Sequence, residues 1–237
     1  MSSNTLFKRA DLDSPKQFNI VGYDKSKVGK LQQLNEDGVR RYLTPSGEKY
    51  PSITTVTSWQ SAKAIAEWRS RVGNDVANAI SKKATRRGTA FHALCENYLQ
   101  NKEVLGENVS YDAKHLFYNV RHILERIDNV HCIETQLYSD YIGVAGTTDC
   151  IAEYDGILSI IDFKTATKIK QKKHIQNYFM QTSGYAVMYE ERTGIPVPQV
   201  VIIMVSDEGH EVFIEKRDNY IFDFIELTKQ YKLVNGA

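Results

Sequence analysis

A chain of 237 residues with 42% hydrophobic and 25% charged content can bury one sizeable core, which excludes disorder along its whole length. The formal net charge of +1 excludes a globally basic nucleic-acid binder, so an anionic partner has to be held by a local patch. Cys95, Cys132 and Cys150 offer neither a zinc signature nor a disulfide framework, and read as reduced, buried residues of an intracellular protein.

No apolar run reaches the roughly 18 residues of a membrane-spanning helix, so no membrane is expected among the partners. Met1 to Asp13 lacks the apolar stretch of a secretory signal, and Asp11 and Asp13 speak against a transit peptide. Residues 1–35 are polar and weakly patterned. Val39–Leu43 and Glu48–Tyr50 read as a hairpin around Thr44-Pro45-Ser46-Gly47. Pro51 and the β-branched run Ile53–Thr57 follow. From Ser61 the spacing of Ala62, Ile65, Ala66 and Trp68 is helical, and a second helix covers Asp75–Ser81. A third spans Ala84–Gln100, with Phe91, Leu94, Cys95, Tyr98 and Leu99 as its apolar positions; a fourth spans Ala113–Ile127.

The texture then turns to strands at His131–Tyr138, Val144–Tyr154 and Ile157–Phe163. Asp155-Gly156 joins the last two as a strong hairpin signal. Ile175–Arg192 returns to helix and is stopped by Thr193-Gly194-Ile195-Pro196. Val200–Val205 is a continuous apolar run, expected as a strand buried on both faces. A hairpin through Glu208-Gly209 and a helix over Asn219–Leu233 complete the chain. The order from residue 84 is α(α)βββαβ, a mixed α/β (α+β) core whose central sheet is flanked by helices. Residues 1–83 are expected as an N-terminal hairpin and helical elaboration packed on a core of residues 84–237, the two forming one compact domain. Fold alone names no chemistry.

Chemistry enters at Asp162-Phe163-Lys164, which ends the apolar run Ile157–Ile161. Residues two apart on a strand share a face, so Asp162 and Lys164 project together at the mouth of a buried strand. Asp112-Ala113-Lys114 has the same form but no strand before it. Asp149 lies thirteen residues before Asp162, and a hairpin at Asp155-Gly156 brings the two to one level. Neighbouring carboxylates repel unless a cation sits between them, and oxygen ligands with an open position favour magnesium or manganese over zinc. A surface salt bridge between Asp162 and Lys164 is the competing reading.

His92 and Glu96 share a helix face four residues apart, in an order that disfavours a zinc protease; a packing histidine is the alternative. Gln181 and Tyr185 are likewise four apart. Basic runs at Lys82, Lys83, Arg86, Arg87 and at Lys168, Lys170, Lys172, Lys173 flank these motifs and suit backbone phosphates, although such runs are often only solvated faces. Tyr42, Tyr50, Trp59 and Trp68 offer stacking on unpaired bases or, for the tryptophans especially, core packing.

His92, then Gly146-Thr147-Thr148-Asp149, Ile161-Asp162-Phe163-Lys164-Thr165 and Gln181-Thr182-Ser183-Gly184-Tyr185, resembles the RecB-like branch of the PD-(D/E)xK nucleases. Tyr50-Pro51-Ser52-Ile53-Thr54-Thr55-Val56, Trp68-Arg69 and Arg87-Gly88-Thr89 look like the mitochondrial genome maintenance exonuclease group and its phage relatives. The resemblance covers roughly residues 38 to 205. It implies a restriction-endonuclease-like αβββαβ core and a metal held by His92, Asp149, Asp162 and the main-chain carbonyl of Phe163. Lys164 then orients or deprotonates the attacking water and stabilises phosphate charge. Glu134 orients water at the metal, and Gln181 and Tyr185 position the nucleotide or the lysine. Arg86, Arg87 and Lys168 are the expected DNA contacts.

The expected activity is a magnesium-dependent DNA exonuclease, with manganese able to substitute. Its expected substrate is single-stranded DNA or DNA ends in replication, recombination or repair, with replication or recombination proteins as partners. A structure-specific or restriction-type endonuclease, and a non-catalytic DNA-binding protein of the same fold, are the alternatives. An iron–sulfur cluster is not expected, since only three cysteines are present. The cytoplasm of a bacterium or of a phage-infected host is the favoured compartment, and the mitochondrion is the alternative.

Overall fold

The computed structural model describes residues 15–28, 30–104 and 109–236. The expectation of no leader at Met1 to Asp13 lies outside these residues. Three strands form a small antiparallel sheet in the order β1-β2-β3: β1 (Gln32–Glu36), β2 (Val39–Leu43) and β3 (Lys49–Pro51). A short helix α1 (Lys25–Val28) precedes them. After the small sheet come α2 (Ile53–Ser58), α3 (Ala62–Val72), α4 (Asn74–Leu99) and α5 (Tyr111–Leu124). The main sheet follows, with β4 (Ile127–Ser139), β5 (Val144–Tyr154) and β6 (Ile157–Thr165), then α6 (Gln176–Thr193), β7 (Gln199–Ser206), β8 (Gly209–Lys216) and α7 (Ile221–Asn235).

The main sheet has the order β4-β5-β6-β7-β8. Only β6 and β7 run parallel, with α6 as the crossover between them; the other pairs are antiparallel. This is the mixed αβββαβ core that the residue pattern predicts. Two apolar layers sandwich the sheet. On one face Ile151, Ile160, Val200 and Ile202 pack with Phe179, Tyr189 and Phe224 of α6 and α7. On the other, Ile161, Phe163, Val201 and Ile203 pack with Phe91, Leu94, Leu116 and Phe117 of α4 and α5. Residues 200–206 of β7 are all buried, as a strand covered on both faces requires.

Three local readings change. The two helices expected over Asp75–Ser81 and Ala84–Gln100 are one 26-residue helix, α4, continuous through Lys82 and Lys83. Gly88 lies within that helix beside the end of β6, where a Cβ would stand 3.4 Å from the Thr165 hydroxyl. The β-branched run Ile53–Thr57 is helical, because Ile53 and Val56, three apart, both enter the core on the α6 side. The weakly patterned first segment contains β1, which turns into β2 through Asp37 (φ 53°) and Gly38 (φ 76°), the paired left-handed conformation of a type I′ hairpin. Cys95, Cys132 and Cys150 are free and buried. Among the described residues no helix is long and apolar enough to cross a membrane.

Candidate metal centre

The β5–β6 register pairs Cys150 with Ile161, so the next residues outward on the two strands are Asp149 and Asp162. They meet where β6 emerges from the core. Asp162 is 2% exposed, and the Lys164 ammonium lies 2.7 Å from its carboxylate, donating to Oδ1. Gln181 of α6 reaches the same Oδ1 at 3.5 Å. Oδ2 is buried and lies 2.7 Å from the same ammonium, an ion pair without hydrogen-bond geometry. Lys164 also stands 5.0 Å above the ring of Tyr178, which Lys170 approaches at 5.3 Å.

Asp149 turns to the α4 side. Its Oδ2 accepts from the main-chain N–H of Phe163 at 2.9 Å and lies 3.5 Å from His92 Nδ1. The His92 ring is set edge-on between Phe91 and Phe163, with centroids at 6.2 and 6.0 Å. Glu134 faces the pair from β4, where Ile133 opposes Cys150 and Thr135 opposes Thr148. The ligand atoms of His92, Glu134 and Asp149 all lie within 4.8 Å of one another, a group able to hold a metal ion. A recess of about 380 Å³ opens over them, lined by Gly88, Thr89, His92, Ala93, Glu96 and Glu134.

The electrostatics are those of crowded acids. Glu134 is exposed as a residue, but desolvation of its carboxyl, and then the charge of Asp149, push it up to about 7, against a smaller opposing effect of His92. Burial pushes Asp162 up to about 6 even though Lys164 opposes the shift. Burial disfavours the Lys164 ammonium, yet Asp162 and Asp149 outweigh it and raise its pKa, so the lysine stays protonated. The crowded carboxylates are stabilised in their charged form by adding positive charge. The clustered carboxylates of Glu134, Asp149 and Asp162 and the adjoining His92 imidazole fit a divalent cation, with the Lys164 ammonium 2.7 Å from Asp162 Oδ2 supplying the positive charge in its absence.

The sequence resembles a known set of proteins. It is 30% identical over 173 residues to mitochondrial genome maintenance exonuclease 1 of Homo sapiens, covering 67% of this chain and 50% of the relative. Identity to the Mus musculus protein of that name is 27% over 172 residues, with the same shares covered. For Xenopus tropicalis it is 23% over 172 residues, 67% of this chain and 49% of the relative. The chain thus spans about half the length of the curated relatives it matches. No family model matches the chain.

The remaining expected site residues fall in varied surroundings. Phe163 is buried, its N–H committed to Asp149. Tyr185 is 3% exposed and packs against β5; a Cβ on Gly146 would stand 2.6 Å from its hydroxyl. Arg87 is engaged by Asp207 at 2.6 Å, while Arg86 and Lys168 are exposed. Tyr42 is buried and Trp59 packs edge-on against Tyr231, so core packing describes both. Tyr178, under Lys164, is a contact that the motif reading omitted. Its signal was available: it precedes Gln181 by three residues and so shares that helix face.

Proposed function

We propose that this chain is a metal-dependent DNA exonuclease acting on single strands or free ends. The observation that carries this reading is the juxtaposition of the His92–Glu134–Asp149 group with the buried Asp162–Lys164 pair, joined through the Asp149–Phe163 hydrogen bond. The similarity to proteins named as exonucleases supports it. So does the order of motifs along the chain.

His92, Asp149, Asp162 and the Phe163 carbonyl would hold magnesium or manganese, with Glu134 at the rim. Bound there, the ion supplies neutralisation of the charge that builds on the phosphate. Glu134 accepts a hydrogen bond from the attacking water and turns its lone pair toward phosphorus. The water oxygen bonds to phosphorus as the P–O bond to the departing sugar oxygen breaks; one proton of the water passes to the Glu134 carboxylate and on to solvent, and the departing oxygen takes up a proton from solvent. Lys164, kept protonated by its acidic neighbours, acts through its charge on the phosphate oxygens and not as a base. Gln181 positions Asp162, and Tyr185 supports β5 from behind. Arg86 and Lys168, exposed on either side, suit backbone phosphates; Arg87 meets them only by exchanging its Asp207 partner. Work in replication, recombination or repair follows from such an activity, in a mitochondrion or in bacterial or phage-infected cytoplasm.

The test is digestion of single-stranded DNA, labelled at either end, beside a covalently closed circle, with magnesium, manganese or EDTA. Progressive shortening of the linear strand that stops in EDTA is expected. Efficient cutting of the circle would overturn the exonuclease, and absence of hydrolysis with either metal would leave a DNA-binding protein.

A further inference from the structure

β4 is an edge strand of the main sheet, and a long groove of about 860 Å³ runs along it. One wall is the segment around α1. It is fastened to the sheet by the Ile20–Val130 bridge, with the N–H groups of Val21 and Gly22 donating to the Val130 carbonyl at 2.9 and 3.1 Å. Val28 anchors α1 in the core on the α6 side. The opposite wall is the C-terminal end of α4, at Gln100 and Lys102. Glu134 lines both this groove and the recess over His92, so the groove and the candidate metal centre adjoin at that residue.

The lining is electrostatically one-sided. Lys25, Lys30 and Lys102 are exposed along it, and Glu134, at the metal end, is the one acidic residue among those that line it. Two half-buried rings line the same groove. Tyr23 packs edge-on against Tyr189 at 6.4 Å, and His131 does the same at 6.1 Å with its Nδ1 2.9 Å from the Tyr189 hydroxyl. Both rings are thus held in place from beneath. Cations that can follow a phosphate backbone, together with fixed rings on which unpaired bases can stack, are the elements of a single-strand track. A paired duplex keeps its base faces stacked internally and cannot use the rings.

The geometry points to the β4-edge groove as the track for the single-stranded segment adjoining the scissile phosphate, held by Lys25, Lys30 and Lys102 and stacked on Tyr23 and His131. This rests on the nuclease reading of the adjoining centre. The track makes grip depend on strand length: an oligonucleotide too short to leave the recess does not reach the lysines.

The full chain carrying Lys25→Ala, Lys30→Ala and Lys102→Ala tests it. Binding of a fluorescent 20-nucleotide oligothymidylate is followed by anisotropy in EDTA at increasing salt. Loss of three phosphate contacts should flatten the slope of log affinity against log salt by about 2. With magnesium, KM for the 20-mer should rise about tenfold or more while the rate on a trinucleotide stays unchanged. A control with Lys216→Ala and Lys229→Ala, in β8 and α7, should leave the slope as in wild type. An unchanged slope in the triple variant overturns the track. So does a variant that keeps its slope but loses inhibition by a 5′-mononucleotide, because the groove is then a small-molecule site. The salt slope is read without hydrolysis, so an inactive wild type would sink the nuclease reading while the groove is still judged on its own.

Discussion

Glu134 stands level with Asp149 across the β4–β5 ladder, and it does so from a left-handed backbone conformation, φ 45°. A regular strand would aim the side chain by simple alternation; here the twist in the backbone accompanies a carboxylate brought to His92 and Asp149. A non-glycine residue held there costs about 1–3 kcal/mol. Glu134→Gly should therefore give a metal-free protein more stable than Glu134→Ala by about 1 kcal/mol. Both variants should lose about 100-fold in magnesium-dependent hydrolysis. Urea unfolding in EDTA and initial rates check this. An alanine variant at least as stable as the glycine variant would show that the conformation carries no strain.

The raised Glu134 carboxyl sets a direction for pH. A carboxyl whose folded pKa lies above its unfolded value binds extra protons in the folded state, so its contribution to stability is full at low pH. That contribution is lost as pH rises through the folded pKa, here from about 4.5 to about 7. His131 and His210, both lowered chiefly by burial, act in the opposite sense and cost stability as pH falls through their range. The clean readout is a difference. In EDTA, the stability of wild type minus that of Glu134→Gln should fall between pH 4.5 and 7.5, and magnesium should flatten the fall. A difference that rises with pH would contradict the crowding of acids at this centre.

Much of this centre was legible because short-range rules fix it. Strand alternation put Asp162 and Lys164 on one face, and Asp155-Gly156 set the register that levels Asp149 with Asp162. Helical spacing put Gln181 and Tyr185 on one face, but the 3.5 Å approach of Gln181 to Asp162 belongs to the packing of α6 on the sheet and was not foreseen. The conformation of Glu134 was not legible, since a left-handed residue other than glycine is imposed by tertiary packing and leaves no local mark. The Arg87–Asp207 pair joins residues 120 positions apart, which no periodicity reports. The continuity of α4 was missed at Lys82-Lys83, two exposed polar positions that carry no apolar periodicity to link the segments on either side.

The glycines of the motifs make a packing prediction. A Cβ at Gly146 would lie 2.6 Å from the Tyr185 hydroxyl and 2.8 Å from Ile53 Cγ2. Gly146→Ala should destabilise by about 1–3 kcal/mol through overpacking. Adding Tyr185→Phe removes the nearest of the three crowding atoms, leaving Ile53 Cγ2 and the ring Cε1 at 3.0 Å, so the double variant should be more stable than the sum of the single effects predicts, by at least about 0.5 kcal/mol. Chemical denaturation of the four-protein cycle measures the coupling. Strict additivity would mean that Tyr185 moves aside freely and does not brace β5.

Lys164 separates charge from chemistry. Its ammonium holds Asp162, a carboxylate 2% exposed that has one oxygen without a hydrogen bond. Lys164→Ala removes the ammonium and leaves the acid buried alone, which costs about 3–5 kcal/mol when such a pair is broken, less whatever Asp162 recovers by taking a proton. The same substitution removes a positive charge that competes with a cation for Asp162. Magnesium should therefore bind at least as tightly as in wild type, and by mass action it should raise the melting temperature of the variant more than that of wild type. Hydrolysis should nevertheless fall by at least about 1,000-fold, with affinity for single-stranded DNA changed by less than about threefold. Thermal unfolding in EDTA and in magnesium, beside an end-labelled digestion, distinguishes these effects. A variant that gains nothing from magnesium would remove Asp162 from the ion-binding set, and one that still cleaves would remove Lys164 from the reaction.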